Sequence, residues 1–131
     1  MAHANGAETV RAAAEAGVDS VEHGAYLDEA ALAAMAAAGT VWTPTISTIG
    51  NLIGEGRYPD GVLEPLFDFH AENIRRFAEM GGKIAPGSDA GAYAVPHVQG
   101  ALDEARYLTE ILGERAEEIL DSGIAEIARR F

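Results

Sequence analysis

Ala16-Gly17-Val18-Asp19-Ser20-Val21-Glu22-His23-Gly24 is the stretch on which the fold turns. Gly17 stops the helical pattern before it, because glycine adopts the left-handed backbone of a helix C-terminus without steric cost. Val18 to Val21 is a short strand candidate, and Glu22-His23-Gly24 ends it in polar residues and a turn former. Helix stop, strand and polar strand end follow one another directly, the junction expected where helices alternate with parallel strands.

The same punctuation recurs on either side. Thr40 to Thr43 is a second strand candidate, ending at Pro44, and Lys83 to Pro86 is a third, ending in Gly87-Ser88-Asp89. Upstream, Met1 to Ala4 leaves room for only a strand stub, where strands commonly run about 5–6 residues. Asn5, with Glu8 three residues on, is placed to cap the first helix, whose buried stripe is Val10, Ala13 and Ala14. Asp28 is placed to cap the next, with Leu27 and Leu32 as a hydrophobic staple and Gly39 as its end. Leu63 to Glu79 is the longest helix candidate, with Leu63, Leu66, Phe67, His70, Ile74, Phe77 and Ala78 on one face. A helix follows from about Val98 to Leu112, with Leu102, Ala105, Leu108 and Leu112 inward, then two short pieces, Glu114 to Asp121 and Ile124 to Phe131. The order predicts an α/β fold of parallel strands joined by helical crossovers. The Thr45–Gly61 connection carries Gly50, Gly54, Gly56, Pro59 and Gly61; it reads either as a flap beside a site or as a surface excursion without a role.

Composition narrows the function classes. In 131 residues, 9 Lys and Arg stand against 21 Asp and Glu, a formal net charge of −12. Nucleic acid and anionic membranes attract the opposite sign, so neither is expected as a partner. The chain has no Cys. Disulfides and thiolate-held zinc are therefore excluded, and any metal must be held by nitrogen and oxygen. No basic segment and long apolar run follow Met1, and no stretch reaches the length of a bilayer span, so cytoplasm is the expected location by elimination.

Three residues at strand ends carry chemistry. His3 and His23 stand one βα unit apart, and adjacent parallel strands lie ~4.8 Å apart, so two imidazoles at neighbouring strand ends can share one divalent ion. The plainer reading of each is a solvated terminal His and a core His bonded to a carbonyl. Asp89 ends the last strand; an Asx turn or helix cap is its plainer use, and a carboxylate that binds metal and takes a proton from water is its functional one. His97, in the loop after Asp89, is the candidate substrate contact, a solvated loop His being its plainer reading. His70, on an apolar helix face, reads as a buried, hydrogen-bonded core residue. Trp42, Tyr26 and Tyr93 sit at or just past strand ends, where they line a pocket or pack in the core. No Walker A loop, complete Gly-x-Gly-x-x-Gly turn or serine nucleophile elbow is present.

Ala2-His3-Ala4-Asn5-Gly6, Ala16 to Gly24 and Gly87-Ser88-Asp89-Ala90-Gly91, taken together and in this order, resemble the amidohydrolase superfamily, in particular its imidazolonepropionase-like and Xaa-Pro dipeptidase-like branch. The resemblance implies that the whole chain, residues 1–131, is the C-terminal half of a (β/α)8 barrel, strands five to eight. It implies that His3 and His23 are the metal-binding His residues of strands five and six. Asp89 becomes the strand-eight Asp, which binds metal and handles the proton of the attacking water. The implied reaction is metal-dependent hydrolysis of C–N bonds in amides, cyclic amides or dipeptides, with Zn2+ the first expectation among divalent ions and a small amide-type molecule the substrate.

The chain departs from the pattern as well. The family's His-x-His pair of strand one and its strand-four carboxylated Lys have no counterpart, and Lys83 begins a strand at the wrong end to replace it. The expectation is a barrel entered midway, with Met1 either internal to a longer parent or the start of a shortened product. Half a barrel would expose two strand edges and an apolar inner face. Self-association, a complementing N-terminal half, or instability alone is therefore expected. The rival reading is a non-catalytic truncated or split-barrel fragment. A third is weak sequestration of cations by the acidic surface, which would not need His23.

Overall fold

Strand β1 spans Ala2–Ala4, β2 Ser20–His23, β3 Val41–Thr43 and β4 Lys83–Ile84 in a computed structural model that describes residues 1–131. All pair in parallel, in the order β1-β2-β3-β4. The intervening helices are α1 (Ala7–Glu15), α2 (Glu29–Ala38), the single turn α3 (Ser47–Gly50) and α4 (Asp60–Glu79); α5 (Gln99–Leu112) and α6 (Ala116–Arg130) follow β4. Parallel neighbours require crossovers of this kind, and the sequence supplies one per gap. No helix is long and apolar enough to cross a membrane.

Register sorts the strand residues into two faces. Ala2, Val21, Trp42 and Ile84 lie side by side, and the last three are fully buried. Together with Ala4 those three pack beneath the helices against Val10, Leu32, Ile74 and Phe77. His3, Glu22 and Thr43 share the other face. Strict alternation would send His23 to the side of Val21. His23 instead has a left-handed backbone, φ 71°, which breaks the alternation at the end of β2.

Asp28 caps α2, its carboxylate accepting from the Ala31 N–H at 2.8 Å. Asn5 does not cap α1. Gly6 takes that position, and the Asn5 amide oxygen accepts from Ala25 N–H across the strand tops. The inward face of α5 also differs from expectation. Gly100, Glu104, Leu108 and Ile111 are buried, whereas Leu102 is 60% exposed and Ala105 faces out. The buried row is continuous at spacing three and four, and it tolerates a carboxylate because that group has a partner, described below.

The two short C-terminal pieces are one helix. Ser122-Gly123 reads as a break because glycine costs about 1 kcal/mol in a helix interior. Packing decides otherwise: a Cβ at Gly123 would lie 1.9 Å from the Ile84 carbonyl oxygen, so only glycine lets α6 approach. In the β3–β4 ladder, Ala85 N–H donates to Trp42 O, which turns the Ile84 carbonyl to the far side of β4. Helix α6 lies over this peptide on the helix-bearing face of the sheet, where its Ile119 joins the core. The two edges expected to be open are those of β1 and β4, neither of which has a further strand beside it. Lys83 pairs with Glu126 at 3.1 Å, and Arg130 donates to the carbonyls of Asp19 and Gly39, fastening α6 under the starts of β2 and β3.

Candidate metal-binding cleft at the strand ends

The C-terminal ends of the strands carry the polar residues singled out in the sequence. Backbone bonds first lock β1 to β2: Gly24 N–H donates to Ala4 O, and Gly6 N–H to Ala25 O. Gly24 also lets the Trp42 indole close in, since a Cβ there would lie 2.6 Å from its Nε1. That indole N–H donates to the His23 carbonyl at 2.9 Å. Trp42 is thus a core residue that holds the backbone of a site residue.

With its main chain fixed, His23 reaches in two directions. Its Nε2 stands 2.8 Å from His3 Nδ1, and its Nδ1 stands 2.8 Å from the Thr45 hydroxyl. The two imidazoles meet nearly edge-on, with centroids 4.2 Å apart. Partial burial, with His3 beside it, holds His23 below the ordinary imidazole range, against the opposing pull of Asp89 and Glu22. Asp89 is exposed and likewise left-handed, φ 55°. No hydrogen bond within the chain engages its carboxylate, and α5 begins only at Gln99, so neither an Asx turn nor a helix cap accounts for it. His3, His23, Thr45 and Asp89 together line two adjoining clefts of about 290 and 260 Å³.

The donor set is two imidazole nitrogens and a carboxylate, suited to a borderline divalent ion. Two tetrahedral zinc ligands stand roughly 3.3 Å apart, given Zn–N of about 2.0–2.1 Å. His3 and His23 need to part by only about half an ångström to reach that spacing. They fit as a pair of ligands. The complete shell is not assembled here, for no three His, Asp or Glu side chains converge closely enough to surround an ion.

The other candidates fall outside this group or behind it. His97 is exposed and lines neither cleft. Tyr26 and Tyr93 are exposed, and Arg57 stacks on Tyr93 at 4.2 Å. That stacking, with the Asn51 amide donating to Ala94 O and to Asp103, ties the Thr45–Gly61 connection to the loop after β4. His70 is buried as expected and packs edge-on to Trp42. Its Nε2–H donates to Pro44 O at 3.1 Å, but Nδ1 has no partner, and the ring lines the larger cleft. Burial above all holds it below the usual imidazole range.

Sequence reading missed Glu104. It is fully buried, and Oε2 accepts from the Ser47 N–H at 2.7 Å while Oε1 has no partner. Burial pushes its carboxyl up to about 7, against the hydrogen bonds from Ser47 and the backbone of Ile46 and Thr45. The available signal was its position in the Gly100-Glu104-Leu108-Ile111 row.

Neither a protein-family model nor a curated protein matches the chain. Solved structures do. A Xaa-Pro dipeptidase, crystallised with methionine in its active site, is 29% identical with a TM-score of 0.76, over 97% of this chain and 33% of its own. An uncharacterized protein is 29% identical with a TM-score of 0.74, over 98% of this chain and 32% of its own. The A. niger ochratoxinase is 25% identical with a TM-score of 0.69, over 89% and 26%. This chain spans a third or less of the length of these structures. Its four-stranded parallel sheet matches part of an amidohydrolase-like fold, and the named neighbours are hydrolases.

Proposed function

We propose that residues 1–131 form the C-terminal half, strands five to eight, of a (β/α)8 barrel of the amidohydrolase superfamily, and that the complete site hydrolyses C–N bonds of small amide-type substrates. The observation that carries this reading is the pair His3–His23, joined at 2.8 Å on neighbouring strand ends with Asp89 on the same clefts. Ligands and catalytic groups of such barrels gather at that end of the strands.

In this reading His3 and His23 hold one divalent ion, Zn2+ foremost, and a ligand from outside this chain's cleft completes the shell. A divalent ion supplies Lewis acidity that brings the pKa of a water to about 7. Thr45, through its hydroxyl on His23 Nδ1, fixes the ring so that Nε2 faces the cleft. Asp89, with both carboxylate oxygens free of internal bonds, takes the proton of the attacking water and returns it to the leaving nitrogen.

A second reading is favoured by the incomplete shell and the unpaired outer sides of β1 and β4: a non-catalytic half that acts only beside a complementing half or a second copy. Zinc calorimetry on the purified chain, with His23→Ala alongside, separates the two. Stoichiometric binding lost in the variant supports the metal site; binding that is absent or indifferent to His23 sinks it for this chain. In a completed enzyme, Asp89→Asn should abolish most turnover and leave the melting curve unchanged, and near-normal turnover would refute its role.

A further inference from the structure

The turn after β3 has an unusual backbone. Thr45, a β-branched residue, is left-handed (φ 50°), and Ile46 after it is right-handed (φ −61°). A left-handed residue followed by a right-handed one turns successive N–H groups toward a common point, a concavity that suits an oxygen anion. Glu104 of α5 fills it. Its Oε2 accepts from Ser47 N–H and lies against the backbone of Ile46 and Thr45. From this turn two bonds run to the cleft. The Thr45 hydroxyl meets His23 Nδ1, and the Ser47 hydroxyl donates to Ser88 O, next to Asp89. The carboxylate thus touches neither His23 nor Asp89, yet the turn it holds reaches both.

We propose that Glu104 is the positioning residue of the cleft: it holds the Thr45–Ser47 turn in its strained conformation and so fixes the His23 ring and the Asp89 loop. A β-branched residue at positive φ costs on the order of 1–3 kcal/mol and persists only where its surroundings impose it. Glu104 is the buried group that imposes it here. The site it positions is the one read above as metal-binding. The positioning itself is a property of the chain without any ion, so the two ideas fail separately.

The test is nitrogen-resolved NMR of the imidazole rings in the metal-free chain, for the parent, Glu104→Gln and Glu104→Leu, with far-ultraviolet circular dichroism to follow the fold. The parent and Glu104→Gln, which keeps an acceptor oxygen, should show His23 locked in one tautomer with Nδ1 hydrogen-bonded. A folded Glu104→Leu should show His23 averaging between tautomers, with His70 unchanged. A folded Glu104→Leu with a parental His23 spectrum would overturn the proposal. Glu104→Asp, which withdraws the oxygen by one methylene, carries the same test if Glu104→Leu unfolds, and loss of fold in both would reduce Glu104 to a structural role. Zinc titration of the same variants keeps the functional reading apart. If the parent binds no zinc but its His23 ring is released by Glu104→Leu, the metal site fails and the positioning stands. If the parent binds, Glu104→Leu should weaken binding at least about tenfold and Glu104→Gln less than about threefold.

Discussion

The two ends of the sheet are built on different terms. At the strand starts, Arg130 donates to Asp19 O and Gly39 O and pairs with the Asp19 and Glu126 carboxylates; Lys83 joins Glu126 as well. Arg129, Arg130 and Lys83 together hold Glu126 well below the usual carboxylate range. Each of these charges has an opposite partner. At the strand finishes, His23, Thr45 and Asp89 are all left-handed, the Asp89 carboxylate has no internal hydrogen bond, and Glu104 and His70 each keep a buried polar atom without a partner. One end is satisfied and the other strained, the division expected where stability is lodged at one mouth of a barrel-type sheet and chemistry at the other.

The sharpest blow to that contrast falls on the satisfied end. Gly123→Ala places a methyl against the Ile84 carbonyl, backbone against backbone, with no side chain free to yield. A loss of about 3 kcal/mol or more is expected, read as a drop in the urea midpoint. A parental midpoint would show that α6 does not rest on β4.

The next effect belongs to the strained end and depends on pH. Glu104 has its folded carboxyl raised from 4.5 to about 7, so the folded state holds the proton more tightly than the unfolded one. Its contribution is therefore most favourable below pH 4.5 and is lost as pH rises through 7, by about 3 kcal/mol in all. His70 works in the opposite sense. Its imidazole is held low, so stability falls as pH drops below 6.5. Urea melts of the parent and Glu104→Gln at pH 5 and pH 8 isolate the carboxyl: the parent should lose ground relative to the variant at the higher pH. A constant difference would mean that Glu104 is charged throughout.

Arg130→Met comes third. It removes charged donors from two strand-start carbonyls while keeping the aliphatic stem, and should lower stability by about 1.5–2 kcal/mol with zinc affinity unaltered. A change in zinc affinity would show that the two ends are coupled. Least of all should follow from His97→Ala, whose imidazole is exposed and outside both clefts. Stability within about 0.5 kcal/mol and parental zinc binding are expected, and weaker binding would return His97 to the site.

The strained end was also the more legible in sequence. His3, His23 and Asp89 stand where apolar runs meet Gly and Asn, so strand ends and candidate ligands were read together. Asp28 was readable as a cap because its bond is local, closing on Ala31. What sequence hid is non-local. Asn5 has the right spacing for a cap but spends its oxygen on Ala25, across a strand pair. Ser122-Gly123 looks like a helix break until the backbone of a strand lies beneath it. Glu104 looks like one more charge among 21 acidic residues, and only the distant Ser47 N–H makes it singular.

The two terminal strands of the sheet also bear on how copies of this chain can add to one another. Open-ended growth of a sheet from copy to copy needs two complementary edges, one to give and one to receive. Here β1 and β4 both end the sheet without a strand partner, one edge of each kind. Pairing of β4 in one copy with β1 of the next is a head-to-tail contact, which closes into a ring or runs on according to its rotation. Charge or proline placed on β1 would blunt the giving edge and stop such addition without touching the polar cleft.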